Sequence, residues 1–234
     1  MRLDLAKRDR LSRILCQLSL SLFVTACCKT RADVVAVIGN GSPLGERVPG
    51  HLIWVCPGKE VTLGWGVSAD VKSAVINTIG SVSIPTGTRV VVPTASTTYT
   101  IQAKGDCDAS GSADINIVEP NKTNSASLGT LQVGLPSSPG GVLWEAKALP
   151  QFWDPDIIVT SVALSAPTTI SGWRVYKTDL DGAVHDFAIT NLAHSPPPPP
   201  MPVAGTWQLV PLNGMEVDPR ALPMPSMVLT LKCK

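Results

Sequence analysis

The sequence holds few of the residues that carry chemistry. It has three histidines, His51, His185 and His194, each alone in its stretch, and only 16% of its 234 residues are charged. No Gly-x-Ser-x-Gly elbow frames a serine, no phosphate-binding glycine loop occurs and no two-cysteine zinc pattern is present, so the familiar frames for acyl transfer, phosphate chemistry and structural zinc are missing. Positive charge is not in excess. With residues 1–26 set aside, 14 basic and 16 acidic side chains leave a formal charge of −2, which argues against a nucleic-acid partner. No window shows a helical period, and beyond residue 26 no apolar run reaches the roughly 20 residues a membrane-spanning helix needs.

What is present begins at the N-terminus. Residues 1–13 hold five basic side chains (Arg2, Lys7, Arg8, Arg10, Arg13) against Asp4 and Asp9, and Ile14 to Ala26 follow without a charge. That apolar run is too short for a permanent span and has the length of a secretory signal, about 7–15 residues. Its end, Val24-Thr25-Ala26-Cys27, resembles the lipobox of bacterial lipoproteins. The resemblance implies cleavage after Ala26, lipidation of Cys27 and attachment to a membrane through the acylated terminus. An ordinary signal peptide cut at the same bond is the bland alternative. Cys28 then becomes the second residue of the mature chain. It is not the aspartate that retains lipoproteins at the inner membrane, so the resemblance leans towards the outer membrane of the cell envelope.

From Val34 onward, short runs rich in Val, Ile and Thr alternate with Gly, Pro, Asp and Ser, the pattern of strands and turns. Glu60 to Val67 puts Val61, Leu63, Trp65 and Val67 on one face; Thr98 to Ala103 and Ser112 to Val118 repeat the device. Candidate strands continue at Ile157 to Ala163, Gly172 to Lys177, Asp186 to Thr190, Thr206 to Val210 and Met227 to Leu231. Such runs must pair into sheets and stack their apolar faces. The expected fold is all-β: two β-sandwich domains after a cleaved signal peptide at 1–26, the first at 34–119, a linker at 120–127 and the second at 128–234. Gly58 to Trp65, Ile79 to Val82 and Val92 to Ile101 together resemble a bacterial immunoglobulin-like domain. The likeness covers roughly residues 50 to 119. It implies a domain that binds, spaces or displays, with Tyr99 placed as a tyrosine corner. The second domain resembles no family. Five consecutive prolines within Ser195 to Pro202 favour polyproline II and a stiff connection inside it.

The densest polar cluster is DCDASGSAD. Asp106, Asp108, Ser110, Ser112 and Asp114, with Gly111 at the bend, follow the first nine positions of a calcium loop, although Ile117 stands where a bidentate glutamate belongs. A hairpin turn is the bland alternative. Asp179-Leu180-Asp181-Gly182 reads as an Asp-Gly hairpin. In an oxidising compartment Cys28, Cys56, Cys107 and Cys233 allow three pairings. Cys56 and Cys107 flank the immunoglobulin-like region, and a bridge between them is the leading expectation. The expected function is a non-catalytic envelope protein that displays or spaces a surface for a protein or polysaccharide partner. A carbohydrate-binding accessory module or envelope hydrolase is the alternative, with Trp144, Trp153 or Trp173 exposed as a sugar platform.

Overall fold

The computed structural model describes residues 30–38, 51–133, 144–165, 170, 172–190, 200–212 and 224–234, and these form an all-β architecture. The first eight strands are β1 (Ala32–Ile38), β2 (His51–Val55), β3 (Val61–Val67), β4 (Ser73–Ile76), β5 (Gly80–Val82), β6 (Thr86–Val91), β7 (Thr97–Lys104) and β8 (Asp108–Ile117). They make two facing sheets, ordered β1-β3-β6 and β2-β8-β7-β4-β5. All pairs are antiparallel except β2 with β8. Alternation explains the facing: Val61, Leu63 and Trp65 of β3 are buried against Ile76, Ile101 and Ile115 of the other sheet. Each such aliphatic side chain contributes about 1.5–3 kcal/mol on burial. On the opposite face of β3, Thr62 and Gly64 are buried as well.

β1 closes one side of this sandwich. A Cβ added at Gly111 of β8 would lie 2.4 Å from the Ala32 carbonyl oxygen. Only glycine lets the two backbones come this close.

The remaining strands are β9 (Asn124–Thr130), β10 (Gln132–Val133), β11 (Trp144–Ala148), β12 (Ile157–Ser165), β13 (Trp173–Thr178), β14 (Val184–Ile189), β15 (Met201–Pro202), β16 (Gly205–Pro211) and β17 (Ser226–Cys233). They form sheets ordered β10-β11-β16-β13-β14 and β15-β12-β17-β9. Between them lies a second apolar core. Trp144, Trp173 and Trp207 are each 0% exposed; the first two meet edge to face at 5.3 Å, a geometry aromatic quadrupoles favour. In β17, Met227, Leu229 and Leu231 enter this core while Val228 and Thr230 sit half-buried, as strict alternation requires.

β9 (Asn124–Thr130) begins within the segment 120–127 expected to be a linker, because Asn124 and Ser125 pair with Leu231 and Thr230. The Asp-Gly turn lies where expected, with Gly182 at φ +88°. The signal segment, Cys27 and Ser195 to Pro199 of the proline-rich stretch lie outside the described residues; Met201 and Pro202 pair with Val159 and Ile158.

Candidate functional site

The most constructed polar feature lies where the two cores meet. β2 ends in Trp54 and Val55, with Cys56 next in the chain, and a 3₁₀ turn at Pro150–Phe152 delivers Trp153 beside Trp54. The Trp54 and Trp153 rings stack with centroids 6.1 Å apart and planes 7° from parallel. Phe152 packs on both cores. Asp154, 1% exposed, then ties the backbones together. Its N–H donates to the Trp54 carbonyl at 2.9 Å. Its carboxylate accepts from the Cys56 N–H at 3.1 Å and the Asp156 N–H at 3.0 Å. The Lys59 ammonium lies 3.5 Å from Asp154 and 2.6 Å from Asp156. The hydrogen bond from Lys59 holds the Asp156 carboxyl below the usual carboxylate range, and reciprocally raises Lys59. A buried carboxylate is tolerable only when its oxygens are satisfied this way.

A disulfide crosses the same junction. Cys56 is bonded to Cys233, with Cα atoms 5.9 Å apart and a sequence separation of 177. This corrects the expected Cys56–Cys107 bridge, and Cys107 is itself disulfide-bonded. The reason is the parallel pairing of β2 with β8, which sets Val55 beside Ile117. Cys107 precedes the start of β8, about 30 Å away at the rise of an extended strand, far beyond the roughly 7 Å that a disulfide spans. Cys233, at the end of β17, arrives instead, its sulfur 3.8 Å from the Val118 carbonyl.

The expected calcium loop is also corrected. Residues 108–117 are a strand, in which Asp108, Ser110 and Ser112 are exposed and Asp114 half-buried. Same-face residues on a strand stand about 6.7 Å apart, so the four side chains from Asp108 to Asp114 spread over about 20 Å and share no centre for an ion that needs every oxygen within about 2.6 Å. Asp114 accepts a hydrogen bond from Thr98 Oγ1 at 2.6 Å, and Asp106 lies 3.8 Å from Lys72. Gly111 serves the approach of β1, not a loop bend. Among the described residues no group of three His, Cys, Asp or Glu side chains could hold a metal.

The sugar-platform tryptophans turn inward. Trp144 and Trp173 are fully buried, and Trp153 is 8% exposed against Trp54. A ring must present its face to solvent to stack on a sugar, so these three supply no platform.

One cluster was not anticipated. Lys177 is 0% exposed, ion-paired with Asp179 Oδ1, and its ammonium lies 5.9 Å from the Trp207 ring centroid. His185 Nε2 meets Asp179 Oδ2 at 2.9 Å. Burial pushes Lys177 down to about 8, opposed by the Asp181 carboxylate; direct contact with Asp179 opposes it too. The signal was present in WRVYKT, where Lys177 shares parity with the core residues Trp173 and Val175.

No family model matches this chain, and no curated protein matches it in sequence.

Proposed function

We propose that the chain is an exported bacterial lipoprotein, anchored to the envelope through Cys27, whose two sandwich-like units form a non-catalytic spacer that displays a binding surface away from the membrane. The first unit is immunoglobulin-like in this reading. Its strand order, β1-β3-β6 facing β2-β8-β7-β4-β5, supports that likeness, as does the burial of Tyr99 near the start of β7. In immunoglobulin sandwiches the early and middle strands share one sheet while the last two pair in the other.

The observation that carries the spacer reading is the junction. Flexible domain pairs meet through small, wet contacts. Here a stacked tryptophan pair, a buried carboxylate that bonds backbone on both sides and a disulfide all cross one boundary. A rigid link is what a spacer requires, because the far unit is then held at a fixed distance and direction.

The test has two arms. Metabolic palmitate labelling and membrane fractionation should show label on the wild-type chain and none on Cys27→Ala, which should leave the membrane fraction. Spin labels at the exposed positions Ser112 and Ala188 should give one narrow distance distribution. An unlabelled wild-type chain rejects the anchor, and a broad distribution rejects the spacer.

A further inference from the structure

The first sandwich is closed on one side and open on the other. On the β1 side the backbones approach over Gly111. On the other side β6 pairs only with β3 among the described residues. The Val67 N–H donates to the Pro85 carbonyl at 2.8 Å, which sets the phase of the ladder. Hydrogen-bonded pairs alternate in an antiparallel ladder, so Gly87, Arg89 and Val91 bond to Trp65, Leu63 and Val61. The backbone groups of Thr86, Thr88 and Val90 therefore point away from the sheet. The Thr86 carbonyl accepts from Ser83 Oγ at 3.1 Å and keeps a second lone pair.

Natural edges are blunted by shortness, by charge or by breaks in register. β5 has three residues and β10 and β15 have two. β14 carries Asp186 in an ion pair with Arg174, and β9 pairs with β17 through a register shift. Of these β6 has only a charge, the exposed Arg89. It runs six residues without a lysine, a proline or a shift, and Val90 on it is 50% exposed.

We propose that β6 is the docking edge for a second copy of this chain, paired antiparallel about a two-fold axis at Thr88 to continue β1-β3-β6 into a six-stranded sheet. In that register Thr88 exchanges two hydrogen bonds with its copy, and each Thr86 exchanges two with the other chain's Val90. Both sandwiches stay on the same side of the joined sheet. Arg89, the one charged side chain of β6, falls opposite Gly87 of the other chain, which brings no side chain of its own, the Trp65 ring lying where its Cβ would be. A two-fold axis at Arg89 would put two guanidinium groups directly opposite, which is destabilising. Side-chain charge thus selects Thr88 over Arg89 as the centre. One strand edge buries less than the roughly 1,200 Å² of a standard stable interface, so the pairing is weak in dilute solution and gains strength where chains are concentrated on a shared surface. The inference needs the fold of the first unit and not its lipid attachment.

Sedimentation equilibrium of the full chain up to about 1 mM tests it. A concentration-dependent dimer is expected. Thr88→Pro removes the central donor while sparing the ladder to β3, as an edge proline should, and is expected to weaken dimerisation at least tenfold with an unchanged melting temperature. Thr88→Cys is expected to cross-link chain to chain on mild oxidation, since hydrogen-bonded partners have Cα atoms about 5.5 Å apart. Thr86→Cys is expected not to cross-link, because residue 86 faces residue 90. A monomer at every concentration, a dimer indifferent to Thr88→Pro, or equal cross-linking from both cysteine variants overturns the proposal.

Discussion

Replacing Asp154 by alanine should cost about 3–4 kcal/mol and separate the unfolding of the two units. The carboxylate is 1% exposed and takes two backbone donors, Cys56 N–H and Asp156 N–H. A buried donor left without a partner costs about 1–3 kcal/mol. The Cys56 group is buried and belongs in the upper half of that range; the Asp156 group is partly hydrated and belongs at the bottom. Loss of the Lys59 attraction adds little, at most about 1 kcal/mol, because the lysine side chain is 39% exposed. Asp154→Asn keeps one acceptor oxygen and should cost about half as much. The assay is urea unfolding followed by tryptophan fluorescence. The wild-type chain should show one transition and the alanine variant two, since a single transition requires the units to be coupled. The Cys56–Cys233 bridge should remain closed in both, because by chain entropy alone it contributes about 5 kcal/mol for so long a loop and would mask a comparison between redox states. A cost below about 0.5 kcal/mol, the range of an ordinary surface change, would refute the assignment of Asp154 as the backbone tie of the junction.

Two further substitutions probe each unit separately. Gly111→Val puts a Cβ 2.4 Å from the Ala32 carbonyl oxygen, a backbone atom that cannot swing aside, so a loss of about 2 kcal/mol or more is expected; hydrogen exchange should show β1 losing protection first. In the second unit, Lys177 has a folded pKa of about 8 against 10.5 for the free side chain. Between those values the unfolded chain holds a proton that the folded chain has released, so stability rises with pH and is lost again as pH falls through about 8. The wild-type chain should gain about 2 kcal/mol between pH 8 and 10 relative to Lys177→Met, measured as the difference in unfolding free energy. An equal pH slope in the two proteins would exclude titration of Lys177 in this window.

Period and turn chemistry carried much of the fold. Val61, Leu63 and Trp65 alternate into the core, as do Met227, Leu229 and Leu231, and the two-residue period is read from large apolar side chains alternating with Thr, Gly or Val, even in β3, where the second face is buried too. The DCDASGSAD stretch went astray because Asp, Ser and Gly are the residues of turns and of cation loops alike. What makes it a strand is pairing with β7, from Ala109 opposite Ala103 to Asp114 opposite Thr98, and a glycine whose purpose is set by a distant backbone. The tryptophans were ambiguous for a related reason: a lone aromatic shows its size but not the direction it faces. Lys177 was legible by parity, yet a charged residue in a strand ordinarily marks the solvent side, and only Asp179 and the space beside Gly205 make an inward ammonium acceptable.

The junction was out of reach for a deeper reason. Its partners are separated by 98 residues at Asp154 and Cys56 and by 177 at Cys56 and Cys233. Neither spacing has a period, and the disulfide choice turns on whether β2 runs parallel or antiparallel to β8. Parallel pairing sends the end of β2 towards Val118 and the second unit; antiparallel pairing would have sent it back towards Cys107, where the expected bridge could have closed. One unreadable strand direction therefore decides whether Cys56 seals the first sandwich on itself or locks it to its neighbour. The spacer reading rests on that direction.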